Sequence, residues 1–211
     1  MSLVSDEQLL ALLFSFNKWW TTGKFPATEK KPTKRLAFYE GHKYLSNPRL
    51  HRAIVLTGLR RVGKTTILYQ LIEDLMDRGV PAKNILYVSF DHPIIKVCQM
   101  DRILQVFLNN VALSEELFLF FDEIHYAEEW NFWLKTLVDR NPQYKIAATG
   151  SASPILAVQG AETGVGRWID IKVPTLSFFE YCKLKNAPSP DLPKDINPNQ
   201  LNNLEAGDLA A

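Results

Sequence analysis

"TGLRRVGKTT", residues 57–66, decides how this chain is read. A glycine and four residues precede Gly-Lys-Thr, giving Gly58, Gly63, Lys64 and Thr65 the spacing of a phosphate-binding loop. At ordinary glycine usage a random chain of this length matches the pattern on the order of one time in a hundred, so the flanks must decide. Upstream, "AIVLT" (53–57) is a continuous apolar run, as a strand buried on both faces requires. Downstream, Leu68, Leu71, Ile72 and Leu75 fall on one side of a helix that opens at Lys64 and ends at Gly79, with Pro81 beyond. Strand, glycine loop and helix N-terminus follow in the order that phosphate binding needs.

In that arrangement Gly58 and Gly63 let the backbone turn tightly. The N–H groups along Gly58, Arg61, Val62 and Gly63 then face a β-phosphate, with the helix dipole behind them. Lys64 reaches the β- and γ-phosphates, the Thr65 hydroxyl ligates Mg²⁺, and Thr66 hydrogen-bonds the α-phosphate. The side chains of Arg60 and Arg61 are expected in solvent, with a role at a subunit interface or on DNA phosphate as the alternative.

Such a loop needs a second acid for the metal. "LFLFFDE" (117–123) is an apolar strand running into two carboxylates. Asp122, at the strand end, is placed to reach Mg²⁺. Glu123 is placed to orient and deprotonate a water near the γ-phosphate. "KIAATG" (145–150) gives another strand, and its end offers the hydroxyls of Thr149 and Ser151 where ligands of open α/β sheets bind. Ser153 before Pro154 reads as a helix N-cap.

The remainder fits around this core. Residues 5–20 predict one helix, with a Ser5/Gln8 capping box and Leu9, Leu12, Leu13, Phe16, Trp19 and Trp20 to one side. Residues 21–34 predict a lysine-rich linker. "ILYVSF" (85–90) predicts a strand, 99–111 and 128–140 predict helices, and "SFFEYCKLK" is helical in pattern. "WIDIKV" (168–173) alternates, which predicts a strand with one wetter face or an edge position. Strands and helices alternate from 53 to 173, which predicts an α/β fold with a parallel sheet and helices on both faces. Three segments are expected: an N-terminal helix and basic linker (1–50), the nucleotide-binding domain (51–186), and a polar, proline-rich, poorly ordered tail (187–211).

Composition excludes several classes. At 46% hydrophobic and 22% charged, the chain can bury a sizeable core. No apolar run approaches the roughly 18 residues of a membrane span, and no basic secretory leader opens the sequence. Cys98 and Cys182 lie far apart and the four histidines are scattered, so the expectation is reduced thiols in a cytoplasmic protein and no structural metal. Charge is uneven. Residues 18–52 hold nine Lys or Arg against two Glu, which makes that segment +7 and the rest −6. A solvated face is one reading. The other is a nucleic-acid surface, with Trp19, Trp20, Phe25, Phe38 and Tyr39 stacking on bases between the cations.

Four motifs in order, "GLRRVGKTT", "LFLFFDEIHYAEEW", "KIAATGSAS" and "GRWIDIKVPTLSFFEY", resemble the AAA-type, archaeal-ATPase-like P-loop ATPases over roughly residues 50–185. The resemblance implies a P-loop NTPase sheet of five parallel strands in the order 5-1-4-3-2, here behind an N-terminal helical extension. It implies ATP and Mg²⁺ as ligands, Asp122 as metal acid, Glu123 as water-activating acid, and Ser151 or Thr149 as sensor hydroxyl. Arg167 matches the Gly-Arg of the pattern. It is expected to contact a γ-phosphate in its own subunit or, in a homo-oligomer, a neighbour's. Members usually continue into a C-terminal domain, whereas the sequence here runs to Ala211. A binding switch without hydrolysis is the competing reading, and it would not need Glu123. A GTPase would carry an Asn-Lys-x-Asp stretch after the fourth strand, and a kinase an arginine-rich lid near 155–166. Neither is present.

Overall fold

The computed structural model describes residues 4–151 and 166–188. Five parallel strands form one sheet: β1 (Ala53–Gly58), β2 (Ile85–Ser89), β3 (Phe118–Asp122), β4 (Lys145–Ser151) and β5 (Trp168–Lys172). Their order is β2-β3-β4-β1-β5, the 5-1-4-3-2 of a P-loop NTPase. The central strands are buried up to their carboxyl ends, as their unbroken apolar sequences require, whereas β5 lies at an edge and is only partly buried. Parallel register aligns the carboxyl ends: Gly58 pairs with Ser151, and Ser89 with Asp122. Every motif singled out above except the Gly-Arg therefore opens on one rim of the sheet.

The N-terminal stretch departs from the single predicted helix. Helix α1 (Asp6–Phe16) stops at Asn17, and a single turn, α2 (Trp19–Thr22), follows. The break has a physical reason. Asn17 is fully buried, and its amide pairs with the outer edge of β2, accepting from the Tyr87 N–H at 2.6 Å and donating to the Tyr87 carbonyl at 2.9 Å. The indole N–H groups of Trp19 and Trp20 both donate to the Ile85 carbonyl. An edge strand presents unpaired backbone groups, and here side chains take them up.

Part of the expected linker region is structured. Helix α3 (Leu36–Leu45) packs over β1 and the phosphate-loop helix α4 (Lys64–Asp77), with Gly41 against Ile54 and Leu71. A Cβ at Gly41 would sit 3.3 Å from Ile54, so a poor helix former is what lets the helix approach. The apolar core runs without interruption from Leu9, Trp19, Phe25 and Phe38 into β1, across the expected boundary at residue 50. Beyond β2 come the short α5 (Pro93–Lys96) and then α6 (Met100–Asn110); α7 (Trp130–Arg140) joins β3 to β4, and α8 (Phe178–Lys185) follows β5. The Ser177/Glu180 capping box opens α8. The predicted helix start at Ser153 and the tail beyond 188 lie outside the described residues. Among the described residues no helix is long and apolar enough to cross a membrane.

The base-stacking reading of 18–52 needs correction. Trp19, Trp20, Phe25 and Phe38 are core residues, and of the five aromatics only Tyr39 is exposed. Several of the cations are also engaged: Lys30 with Glu73, Arg35 with Glu180, and Lys34 over the Phe38 ring.

Replacing Asn17 by Leu should strand both Tyr87 backbone groups. The expected loss is about 1–3 kcal/mol, the scale for buried polar groups left unpaired, read from urea unfolding of the two proteins.

Candidate nucleotide site

β1 delivers the chain to the loop at Gly58. The glycine is needed there for lack of space: a Cβ would lie 2.3 Å from the carbonyl oxygen of Val173, which follows β5. Gly63 has φ +95°, the left-handed conformation that precedes α4. Arg61 is also left-handed, at φ +65°, although it carries a side chain. Lys64 is buried, and its ammonium donates to the carbonyls of Gly58 at 3.2 Å and Leu59 at 2.9 Å. Arg60 is exposed but not idle, since it donates to the Tyr126 hydroxyl at 2.9 Å.

Asp122 is 4% exposed and surrounded by hydroxyls. Oδ2 accepts from Thr65 at 2.8 Å and from Tyr87 at 3.0 Å, and Oδ1 accepts from Thr149. Burial first, then the Asp122 charge, pushes the Tyr87 phenol well above its ordinary range, so it stays protonated and donates. Thr149 is fully buried and doubly engaged, because its Oγ1 also accepts the Glu123 N–H at 2.9 Å. That hydroxyl is thus spent on the Asp-Glu peptide, and of the two sensor candidates only Ser151 is partly accessible.

Glu123 has φ +51° and its carboxylate lies 3.9 Å from Lys64 Nζ. Strained backbone of this kind gathers at functional sites. Burial pushes its carboxyl above the ordinary range; Lys64 opposes that and Asp122 adds to it. His125, on the turn after β3, faces Glu123 across 3.4 Å. Burial, reinforced by Lys64, Arg60 and Lys96, holds its imidazole below the ordinary range.

A clamp holds the loop from behind. Arg35 donates to the Val62 carbonyl at 2.7 Å, to Pro174 and Thr175, and bidentately to Glu180 on α8. Burial alone would raise the Glu180 carboxyl, but the Arg35 guanidinium and the backbone N–H groups of Ser177 and Leu36 bring it below its usual range. Beside the loop opens a cleft of about 720 Å³, within the range of small-molecule sites. Residues 31–35 form one wall; Gly63, Thr66, Ile67 and Gln70 form the floor; Leu176 and Leu184 face them. Gln70 fixes the first wall by donating to the carbonyls of Lys31 and Thr33.

The sequence motifs thus converge, with one exception. Arg167 lies at the amino end of β5, where its carbonyl accepts from the Ala53 N–H and its guanidinium pairs with Asp139. The length of β1, about 16 Å at ~3.3 Å per residue, separates it from the loop. Contact with a phosphate in its own subunit is therefore out of reach. Conversely, Arg35, Tyr87 and His125 had no signal in the sequence that assigned them to the site, apart from the proximity of His125 to the Asp-Glu pair.

Comparison with known proteins agrees with this geometry. A family model described as AAA domain matches residues 50–182. The chain belongs to that family. An uncharacterized protein of Haemophilus influenzae is 33% identical over 140 residues, which is 64% of this chain and 34% of that protein. The uncharacterized protein MJ1637 of Methanocaldococcus jannaschii is 29% identical over 77% of this chain and 34% of its own length. The chain thus spans about a third of these relatives. Among solved structures, S. cerevisiae Hsp104 in an extended complex with casein superposes with TM-score 0.54 at 18% identity, over 81% of this chain and 31% of that one. An Hsp104–ADP complex gives TM-score 0.52 at 20% identity, over 71% and 23%. At these identities the likeness is one of fold. Family and fold together define a nucleotide-binding domain of the ATPase type.

Gly58→Ala should force its new methyl into the Val173 carbonyl. The cost expected for overpacking is about 1–3 kcal/mol, with weakened nucleotide binding, checked by thermal unfolding and calorimetry. A second expectation concerns charge. Because the folded Glu123 carboxyl is raised, its contribution to stability is full below the unfolded pKa and is lost as pH rises through the folded one. Glu123→Gln should therefore be more stable than wild type at pH 7, and the difference should vanish toward pH 4. Equal unfolding midpoints at pH 7 would contradict this.

Proposed function

We propose that this domain binds ATP with Mg²⁺ through the 58–66 loop and hydrolyses it, with Glu123 as general base. One observation carries the reading: Thr65 Oγ1 and Asp122 Oδ2 meet at 2.8 Å beside Lys64 and Glu123, on the rim where β1, β3 and β4 end. A hydroxyl and a carboxylate are the hard oxygen donors Mg²⁺ takes together with phosphate oxygens and waters. Thr65 and Asp122 would hold the ion. When bound, Mg²⁺ neutralises charge on the β- and γ-phosphate oxygens.

The loop supplies the rest. N–H groups of Gly58 and residues 61–66 cradle the phosphates at the N-terminus of α4. Lys64, released from its own loop carbonyls, pairs with the β- and γ-phosphates. Arg35 keeps the loop's curvature by holding the Val62 carbonyl away from the anion. The nucleoside lies in the neighbouring cleft, whose wall and floor meet the loop at Gly63 and Thr66. Glu123, whose carboxyl burial raises above the ordinary range, takes a proton from water attacking the γ-phosphorus. Ser151, at the end of β4, is the hydroxyl placed to sense the γ-phosphate, because Thr149 is committed to Asp122.

Lys64→Ala should weaken ATP binding by about 1.5–3 kcal/mol, the scale for hydrogen bonds to charged groups, measured by calorimetry. Glu123→Gln should retain binding and turn over about 10²–10⁴-fold more slowly. Unchanged affinity in the first variant, or wild-type turnover in the second, would overturn the corresponding assignment.

A further inference from the structure

Glu123 is fixed at its backbone and approached by Lys64 from the Oε1 side, yet Oε2 is buried without a hydrogen bond of ordinary geometry. A carboxylate oxygen in that position needs a donor. The group that faces it is His125, whose Nδ1 lies 3.4 Å away. The imidazole is only 8% exposed, and its ring packs on Tyr126 with 4.3 Å between centroids. Tyr126 is held in turn by the Arg60 guanidinium on its hydroxyl and the Lys96 ammonium over its face. His125 is therefore a placed side chain.

In the structure the same Nδ1 accepts the backbone N–H of Ser151 at 3.4 Å, whereas its contact with Oε2 lacks hydrogen-bond geometry. A neutral imidazole nitrogen either donates or accepts. It can donate to Glu123 or accept from Ser151, and not do both. A bond to an ionised carboxylate is roughly twice as strong as one between neutral groups, so a turn of the ring that trades the Ser151 bond for one to Glu123 is favoured.

We propose that His125 is the positioning residue of Glu123: its Nδ1–H donates to Oε2 and leaves Oε1 turned toward Lys64 and the phosphate loop to receive the water's proton. The proposal rests on Glu123 being the base. It also makes the end of β4 a neighbour of the base, since Ser151 competes for the same nitrogen.

Two measurements on the whole chain test this separately from hydrolysis and through it. Imidazole ¹⁵N NMR without nucleotide, with the His125 signal assigned by its loss in His125→Asn, should show Nδ1 protonated. Glu123→Ala should move that proton to Nε2. A wild-type His125 protonated on Nε2 overturns the proposal. In steady-state ATP turnover, His125→Leu should lower kcat about 10–100-fold, the scale for losing a group that orients a functional one, with KM within about twofold. His125→Asn, which keeps an N–H near the Nδ1 position, should recover most of the rate, and thermal unfolding verifies that both variants fold. Full activity of His125→Leu, or equal loss in Leu and Asn, counts against positioning. A wild type that binds ATP without turning it over defeats the base assignment and the proposal with it, even where the tautomer is as expected.

Discussion

A buried carboxylate holds this site together. Asp122 ends β3 with almost no contact with water, and an ionised group there is tolerable only if its lone pairs are met. Three hydroxyls meet them, each from a different element: Thr65 from α4, Tyr87 from β2 and Thr149 from β4. Removing any one leaves a charge partly unpaired in the interior, which is costlier than the bond itself is favourable. The carboxylate thus fixes the phosphate-loop helix relative to three neighbouring strands. Insertion of β4 between β1 and β3 is what brings Thr149 within reach. The same hydroxyl then fixes the Glu123 peptide, so Asp122 and Glu123 are positioned by one constraint.

The loop is restrained from its other side by contacts that have nothing to do with phosphate. Gly58 touches the chain leaving β5, and Arg35 ties Val62 to the same exit and to Glu180. An arginine is required for that geometry, because a planar fork reaches two carboxylate oxygens and several carbonyls at once, as an ammonium cannot. Arg61 within this loop adopts a left-handed conformation, as does Glu123 at the end of β3. Both conformations persist because the surrounding structure over-determines them.

The N-terminal helices serve the sheet more than they extend it. Asn17, Trp19 and Trp20 occupy the hydrogen-bonding edge of β2, where another strand could otherwise pair. Their apolar sides complete the core, which is why a stretch rich in lysine also carries buried tryptophans. Lys145, buried at the start of β4, similarly holds the turn before β1 by donating to the carbonyls of Asn47 and Leu50.

Local order along the chain determined most of the fold and half of the site. The buried strands were legible because strands covered on both faces must be continuously apolar, and β5 because an edge strand alternates. Gly63, Lys64, Thr65, Asp122 and Glu123 were legible because the bonds between strand, loop and helix fix their spacing in sequence. Helix α3 was not legible, since Gly41 weakens its pattern and is there for close packing on Ile54 and Leu71. The break at Asn17 was also hidden, because it answers to an edge 70 residues away. Tertiary structure alone decided that Arg35 grips the loop, that Thr149 serves Asp122, and that Tyr87 and His125 join the site. It also decided that Arg167 lies at the opposite end of the sheet. These roles depend on which elements become neighbours after folding, and spacing along the chain carries no record of that distance.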